Sequence, residues 1–398
     1  MIPDISDLMN DTWIAEMNHL GRQRKAFFFV IDFEMQHPVV QPLSEIDSNS
    51  ICFRFRDHGN FCSHSLNRNI TLNPSFVSSL NYSRGFTHVQ DEQRRGNSVL
   101  ANLTCPTELS LNYLDAGATA GSGSWANTRS ELYPADRASP LRQYLPFLNA
   151  PYVLWMKPPL LTKSSEAPKD IRLPQEILVF SPETFVRTLR NTIYTFPIKG
   201  SAVFTGDGTS DDAKRALLNN TKEHAEHITV VDLLRNDLGR VGSNIAVEEF
   251  RAVSLIQLYG KKLLQVSSRI RADLPPNWKD HIGDIVAELL PAGSVSGAPK
   301  RETCRIIREA EAKITANSLL APRNYYCGVA GIFDGKELES TVLIRFIEAR
   351  QADARQTGAQ QPLRYFFRSG GGITVYSNEK DEYEELKNKI SLPLRGGG

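Results

Sequence analysis

The stretch IFDGKELESTVLIRFI, residues 332–347, determines the fold predicted for this 398-residue chain. Asp334-Gly335 readily supplies the positive φ angles of a tight hairpin turn. The turn leads into an apolar, β-branched run at residues 341–347, which predicts a buried strand. A further strand is predicted at residues 363–367, just before Gly370-Gly371-Gly372. This part of the chain therefore predicts antiparallel strands joined by short connections.

Similar β-type runs occur on both sides of this hairpin. They lie at residues 26–31, 51–55, 176–180 and 192–196, and the last two flank a segment predicted to be helical or turn. Apolar residues at 282, 285, 286, 289 and 290 have helical spacing. The mixture predicts an α+β fold, with large, mostly antiparallel sheets layered with helices.

Composition and charge exclude several classes of protein. The 46 basic and 45 acidic side chains leave a net charge of +1, unlike the basic excess of a general nucleic-acid binder. Five cysteines, odd in number and without paired zinc-site spacing, favour a reducing cytoplasm. No apolar run approaches the roughly 20 residues of a membrane-spanning helix. The acidic N-terminus, with Asp4, Asp7 and Asp11, does not resemble a signal peptide.

The distribution of motifs favours one large domain over residues 1–398. We predict an N-terminal subregion at about 1–115 and a catalytic core at about 140–395. Between them, at about 116–139, the chain is rich in Gly, Ser, Ala and Asn, which predicts a flexible loop.

Two pairs of glutamates have helical spacing. Thr221 is the predicted N-cap of a helix that carries Glu223 and Glu226, and Glu382 and Glu385 repeat the spacing near the C-terminus. Such pairs are usually solvated surface charges. If the two helices face each other, their carboxylates offer the hard oxygen ligands that Mg²⁺ prefers. Spacing alone does not bring the helices together.

Two small-residue segments are candidates for binding an anion. Glycines at 370–372 let backbone N–H groups approach a ligand, although a bulge or turn is their commoner use. Residues 293–300, GSVSGAPK, lack the spacing of a phosphate loop, so nucleotide binding is not supported. The helix predicted to begin near Lys300 could receive a carboxylate at its N-terminus.

Lys199 and Glu183 each lie next to a predicted strand end. A desolvated lysine beside other cations can act as a nucleophile, although most lysines are solvated surface charges. A carboxylate at a strand end is a plausible general acid or an ordinary loop residue.

Taken together, these segments resemble the chorismate-utilising enzymes, in particular the branch that makes aminodeoxychorismate. The matching stretches follow the family order, from about residue 177 to 389. They are FSPE (180–183), PIKG (197–200), KEHAEH (222–227), VDLLRNDL (231–238), GSVSGAPK (293–300), YCG (326–328), IR (344–345), GGGI (370–373) and EYEE (382–385). Several matches in order are far more specific than any one of them.

The resemblance implies a role for each matched residue. Lys199 is the expected nucleophile toward C2 of chorismate, and Glu183 the acid that helps the C4 hydroxyl leave. Mg²⁺ is the implied cofactor, bound by Glu226 and Glu385 with Glu223 and Glu382 beside them. The implied substrate-binding residues, which grip carboxylates, are Ser296, Gly297, Lys300, Tyr326, Arg345, Gly370, Gly371 and Gly372.

The resemblance also implies a reaction and a partner. Chorismate and ammonia would give 4-amino-4-deoxychorismate for 4-aminobenzoate and folate synthesis. No cysteine lies in a Gly-x-Cys-x-Gly setting, so a separate glutamine amidotransferase subunit is the implied ammonia source. Neither nucleic acid nor membrane is an expected partner.

Other functions stay open at this point. Anthranilate or isochorismate synthesis is the near alternative, although anthranilate synthases usually have alanine at the position of Lys199. An inactive chorismate-binding regulatory protein is the alternative of another class. Its support is the weakly matching N-terminal third and Gln265, which stands where the family often has histidine and cannot shuttle a proton.

Overall fold

The computed structural model describes residues 12–63, 72–111, 139–159, 173–204, 210–258, 261–316, 320–351 and 363–394. The loop predicted at about 116–139 lies outside these ranges, apart from Ser139. The helices in the described ranges are α1 (Thr12–Arg22), α2 (Ser79–Arg94), α3 (Ser210–Leu218), α4 (Thr221–Val241), α5 (Ile282–Leu289), α6 (Lys300–Ile314) and α7 (Glu379–Asn388). None of these helices has the length and apolar character needed to cross a membrane.

The strands of the described ranges are numbered in chain order. They are β1 (Phe27–Ile31), β2 (Val39–Pro42), β3 (Ile51–Phe55), β4 (His58–Gly59), β5 (Asn73–Ser75), β6 (Leu100–Ser110), β7 (Tyr152–Met156), β8 (Glu176–Ser181), β9 (Thr184–Leu189), β10 (Thr192–Thr195), β11 (Ile198–Phe204), β12 (Ser243–Leu258), β13 (Lys261–Asp273), β14 (Gly297–Ala298), β15 (Val329–Phe333), β16 (Leu338–Val342), β17 (Phe346–Gln351) and β18 (Leu363–Ile373).

These strands form two sheets of nine strands each. The first has the order β11-β13-β10-β9-β16-β15-β1-β2, with β12 also paired to β13. The second has the order β14-β6-β18-β17-β8-β7-β3-β4, with β5 also paired to β6. Every strand pair in both ladders is antiparallel, as in Phe29 opposite Gly331 and Gly371 opposite Leu103. The predicted α+β class with large antiparallel sheets is confirmed.

Aromatic side chains from the two sheets pack against each other in the core. Phe28 of β1 stacks on Phe53 of β3, with 5.1 Å between ring centroids. Phe28, Phe53 and Phe55 are all buried, because alternate residues of strands in packed sheets face the neighbouring layer. Each sheet includes an interior strand from the N-terminal third of the chain. In the first sheet β1 lies next to the C-terminal strand β15, and in the second sheet β6 lies next to the C-terminal strand β18.

Several local predictions are wrong in an informative way. The strand predicted at 341–347 is broken, because the chain leaves one sheet after Val342 and enters the other at Phe346. Arg345 lies in the break with φ of +53°. The segment between β8 and β10 is the strand β9, not a helix or turn, and it pairs with both β10 and β16.

The glycines at 370–372 lie inside β18, not between two strands. They pair with residues of β6, and a Cβ atom on Gly370 would lie only 2.4 Å from the carbonyl oxygen of Leu103. A side chain there would clash with backbone, so the ladder requires glycine at this position. Lys199 is likewise inside a strand, as the second residue of β11.

Candidate active site

Lys199 of the first sheet reaches the glycines of the second. A Cβ atom placed on Gly372 would lie 3.6 Å from Lys199 Nζ. Lys199 is half-buried, and no residue in the described ranges accepts a hydrogen bond from its ammonium. The structure therefore brings together two features that lie more than 170 positions apart in the sequence.

Glu183 lies in the turn between β8 and β9, close to Lys199. Its backbone carbonyl accepts hydrogen bonds from the Val342 amide (3.2 Å) and from Thr341 Oγ1 (2.7 Å), which fix the turn. Burial raises the pKa of the Glu183 carboxyl, while a hydrogen bond from Ser294 and the charges of Lys199 and Lys389 oppose the rise. A carboxyl group whose pKa is raised stays protonated at a higher pH than an ordinary glutamic acid does, and it is therefore suited to general acid catalysis.

The first glutamate pair lies at the start of α4. The N-cap is Asn220, one residue before the predicted Thr221, and its side chain accepts a hydrogen bond from the Glu223 amide (3.1 Å). Glu223 Oε2 would lie 3.3 Å from a Cβ atom on Gly200, so this carboxylate lies beside the β11 backbone. Glu226 is half-buried one turn further along.

His227 anchors this helix on the first sheet. It is fully buried, and its Nε2 lies 2.6 Å from Ser268 Oγ on β13. Burial, with added repulsion from Arg251 and Lys199, lowers the pKa of His227 to about 4, so the imidazole is neutral at physiological pH. Gln265 is half-buried on the same strand and pairs with Ser201 of β11 in the ladder.

The second glutamate pair lies on α7, on the other side of the glycines. Glu382 is buried, and its Oε2 would lie 3.3 Å from a Cβ atom on Gly371. Glu385 is more exposed and forms an ion pair with Lys389, with 2.8 Å between Oε1 and Nζ. The helix begins after Asn378, whose side chain caps the amides of Lys380 and Asp381.

The two glutamate pairs flank the Lys199–glycine contact and do not form one compact cluster. In the ranges that the structure describes, no three His, Cys, Asp or Glu side chains are placed to hold one metal ion. The donor chemistry nevertheless fits Mg²⁺, which takes one or two protein carboxylates and completes its shell with water and substrate oxygens. Magnesium binding by Glu223, Glu226, Glu382 and Glu385 stays a prediction.

Arg345 lies close to Tyr326 and to Glu385 of the second glutamate pair. Arg345 donates a hydrogen bond to the Lys389 carbonyl. Tyr326 is buried and packs edge-on against Phe346, with ring centroids 5.6 Å apart. The left-handed backbone of Arg345 directs the chain from one sheet into the other at this point. A guanidinium and a phenol beside backbone amides are suitable groups for binding a carboxylate.

Ser296, Gly297 and Lys300, which are predicted to bind the substrate, contact other residues of the protein in this structure. Ser296 is fully buried and donates to the Ala292 carbonyl (2.8 Å). Gly297 has φ of +146° and packs against the β6 backbone. Lys300 Nζ lies 2.8 Å from Asp237 Oδ1 and donates to the Leu289 carbonyl at 2.8 Å. A buried carboxylate therefore holds the Lys300 ammonium in this structure, and a contact between Lys300 and the substrate stays a prediction.

Two residues of the site were not predicted from the sequence. The Ser294 side chain donates a hydrogen bond to the Glu183 carboxylate. Its position in the sequence does not distinguish it from the other small residues of the segment 293–300. Lys389 lies four residues after Glu385, and this i,i+4 spacing is a signal that could have found it.

Comparison with known proteins identifies the family. A family model described as chorismate binding enzyme matches residues 161–395, which include Glu183, Lys199, both glutamate pairs and the glycines. The chain belongs to the chorismate-binding enzymes. An uncharacterized PabA-like protein of Haemophilus influenzae is 40% identical over 387 residues, covering 96% of this chain and 97% of that protein.

Other chorismate-binding relatives match a smaller part. Aminodeoxychorismate synthase component 1 of Salmonella typhimurium is 33% identical over 223 residues, which is 55% of this chain and 43% of that enzyme. The chain therefore aligns with less than half of that relative. Among solved structures, MenF, the menaquinone-specific isochorismate synthase from Escherichia coli, has a TM-score of 0.58 at 14% identity and covers 95% of this chain and 80% of that one. This likeness shows the shared fold.

Proposed function

We propose that this chorismate-binding enzyme makes 4-amino-4-deoxychorismate from chorismate and ammonia. The observation that carries the proposal is the position of Lys199. Its ammonium has no hydrogen-bond acceptor among the described residues, and it lies between the glycine strand and the Glu183 carboxyl. A lysine in this place can act as a nucleophile once it is deprotonated. The partial match with aminodeoxychorismate synthase component 1 supports the same reaction.

The reaction proceeds in two displacements. The neutral Lys199 amine bonds to C2 of chorismate as the C4–O bond breaks, and Glu183 gives its proton to the departing hydroxyl, which leaves as water. Ammonia then bonds to C4 as the bond between C2 and Lys199 breaks, and a proton returns to Glu183. The sum is chorismate plus ammonia giving aminodeoxychorismate plus water. Covalent catalysis replaces one difficult substitution with two easier ones.

The remaining residues bind and orient the dianionic substrate. Arg345, Tyr326 and the amides of residues 370–372 would hold a carboxylate. Mg²⁺, held by Glu226 and Glu385 with Glu223 and Glu382 beside them, would neutralise the ring carboxylate when it is bound. The ladder between β6 and β18 keeps these amides in a fixed position relative to Lys199.

Ammonia would come from a glutamine amidotransferase subunit. The sequence has no cysteine in a Gly-x-Cys-x-Gly setting, which argues that the chain does not make its own ammonia. The PabA-like name of the Haemophilus relative supports a link to such a subunit. High concentrations of ammonium should replace the partner in a purified assay.

The test is product analysis with the purified chain, chorismate, Mg²⁺ and ammonium, read by mass spectrometry and retention time. Aminodeoxychorismate is the expected product. Anthranilate or isochorismate as the main product would overturn the proposal. Omitting Mg²⁺ and adding excess chelator should abolish turnover, and full activity in chelator would remove the metal from the mechanism.

A further inference from the structure

Lys389 connects three elements of the site. Its ammonium forms the ion pair with Glu385 of α7 at 2.8 Å and donates to the Gly370 carbonyl of β18 at 2.7 Å. Its own carbonyl accepts the hydrogen bond from Arg345, just before β17. A Cβ atom on Gly371 would lie 3.6 Å from Lys389 Nζ. Lys389 thus joins a predicted metal carboxylate, Glu385, to two predicted substrate-binding residues, Gly370 and Arg345.

We propose that Lys389 is the resident counter-cation of Glu385, which holds this carboxylate in the metal-free protein and releases it when Mg²⁺ binds. The inference rests on the proposed function, in which Glu385 is a metal carboxylate. An ammonium and a divalent cation on one carboxylate repel each other, and the repulsion is larger at a partly buried site than in water. Metal binding therefore has to break or weaken the ion pair.

The released ammonium has a second anionic partner available when substrate is present. It keeps the Gly370 carbonyl as an acceptor and lies beside the glycine amides expected to hold the substrate carboxylate. A carboxylate bound there attracts Lys389 away from Glu385. The anion and Mg²⁺ should therefore strengthen each other's binding, and by thermodynamic linkage the effect is reciprocal.

A neighbouring ion pair provides the contrast. Lys387 pairs with Glu384 at 2.6 Å on the same helix, and its ammonium lies 4.3 Å from the centroid of the Tyr383 ring. Among the described residues, the Lys387 ammonium forms no hydrogen bond or ion pair with the glycines of β18 or with Glu385. Lys387→Gln is thus a matched control that removes one lysine charge from α7 without touching the predicted metal carboxylate.

The test is calorimetric titration of the chain with Mg²⁺ alone. Lys389→Gln should bind Mg²⁺ roughly fivefold or more tightly than the wild type, within the ordinary range of coupling between two ligands. Lys389→Arg keeps the cation and should resemble the wild type, as should Lys387→Gln. Thermal unfolding and circular dichroism check that each variant is folded.

A second titration measures the coupling. In a Lys199→Ala background, which prevents turnover, chorismate should tighten Mg²⁺ binding, and adding Lys389→Gln should reduce that gain. Magnesium binding by the wild type with equal or weaker binding by folded Lys389→Gln overturns this inference alone. If no variant binds Mg²⁺ and turnover survives chelator, the metal part of the proposed function fails as well.

Discussion

Two lysine–carboxylate pairs in this protein have nearly the same chemistry and different surroundings. Lys300 pairs with Asp237 at 2.8 Å and donates to the Leu289 carbonyl at 2.8 Å. Lys389 pairs with Glu385 at 2.8 Å and donates to the Gly370 carbonyl at 2.7 Å. The Asp237 side chain is only 5% exposed, whereas that of Glu385 is 55% exposed.

The difference in exposure separates a structural pair from an exchangeable one. Burial lowers the pKa of Lys300 and raises that of Asp237, and each charge opposes the shift of the other. Removing one partner would leave an uncompensated buried charge. The Glu385 side chain is exposed although that of Lys389 is only 27% exposed, so this carboxylate can change partners at a lower cost than Asp237. The geometry of an ion pair therefore does not by itself reveal its role.

The largest effect is expected at Lys199. Among the described residues, its ammonium has neither a carboxylate nor a backbone carbonyl as a partner. Lys199→Ala should abolish aminodeoxychorismate formation, because no other group can form the covalent bond at C2. Lys199→Arg retains the charge and should be equally inactive. Product assays measure the loss, and direct chorismate binding to Lys199→Ala should persist. Unchanged turnover in either variant would reject the covalent mechanism.

The buried pair of Lys300 and Asp237 should matter most for stability. Asp237→Ala leaves the Lys300 ammonium buried without its carboxylate and should lower the free energy of unfolding by about 3–5 kcal/mol. Urea denaturation measures the change. The double variant Asp237→Leu with Lys300→Met removes both charges and should recover much of the loss. A loss below about 1 kcal/mol in the single variant would show that the pair is as replaceable as an exposed one.

The exchangeable pair of Lys389 and Glu385 should matter for ligand binding more than for folding. Glu385→Gln should change the free energy of unfolding by less than about 1 kcal/mol, as exposed ion pairs do. Its affinity for Mg²⁺ should fall by roughly tenfold to a hundredfold, because a contact to a charged group contributes about 1.5–3 kcal/mol. Denaturation and calorimetry measure the two effects. A large loss of stability with normal Mg²⁺ affinity would reverse the comparison.

The smallest effect is expected from the hydrogen bond between Ser294 and Glu183. The Ser294 hydroxyl stabilises the ionised carboxylate, so Ser294→Ala should raise the pKa of Glu183 further above its ordinary value. Since the protonated acid is the active form, the alkaline fall in kcat should move to higher pH by less than about one unit. Ser294→Thr keeps the hydroxyl and should restore the wild-type profile. A shift toward lower pH would contradict the assignment.

The same two pairs show how far the sequence could predict the site. Lys300 stands in a recognisable segment, so a substrate contact was predicted, but its carboxylate partner Asp237 lies 63 positions earlier on another helix. Lys389 is not among the predicted site residues, although its partner is one helical turn away. Local spacing was sufficient for the second pair, while the first depended on how α4 and α6 pack.

Tertiary packing also overrode local signals in the strands. The run at 341–347 has strand propensity throughout, yet the chain changes sheets at Arg345. The glycines at 370–372 have a turn composition, yet they extend β18 by pairing with β6, whose backbone leaves no room for a side chain at Gly370. A propensity records only the local preference of the chain, and cross-strand contacts decide between strand, turn and crossover.

The sequence by itself determined the α+β class, the helical placement of both glutamate pairs, and the residues that match the family. These depend on periodicity and on motifs within a few positions, which the chain encodes locally. Only the tertiary structure placed Lys199 beside Gly372, turned Lys300 toward Asp237 and joined Lys389 to Glu385 and Gly370. The physical reason is that hydrogen bonds and ion pairs act over a few ångströms, so their partners are set by packing and not by sequence distance.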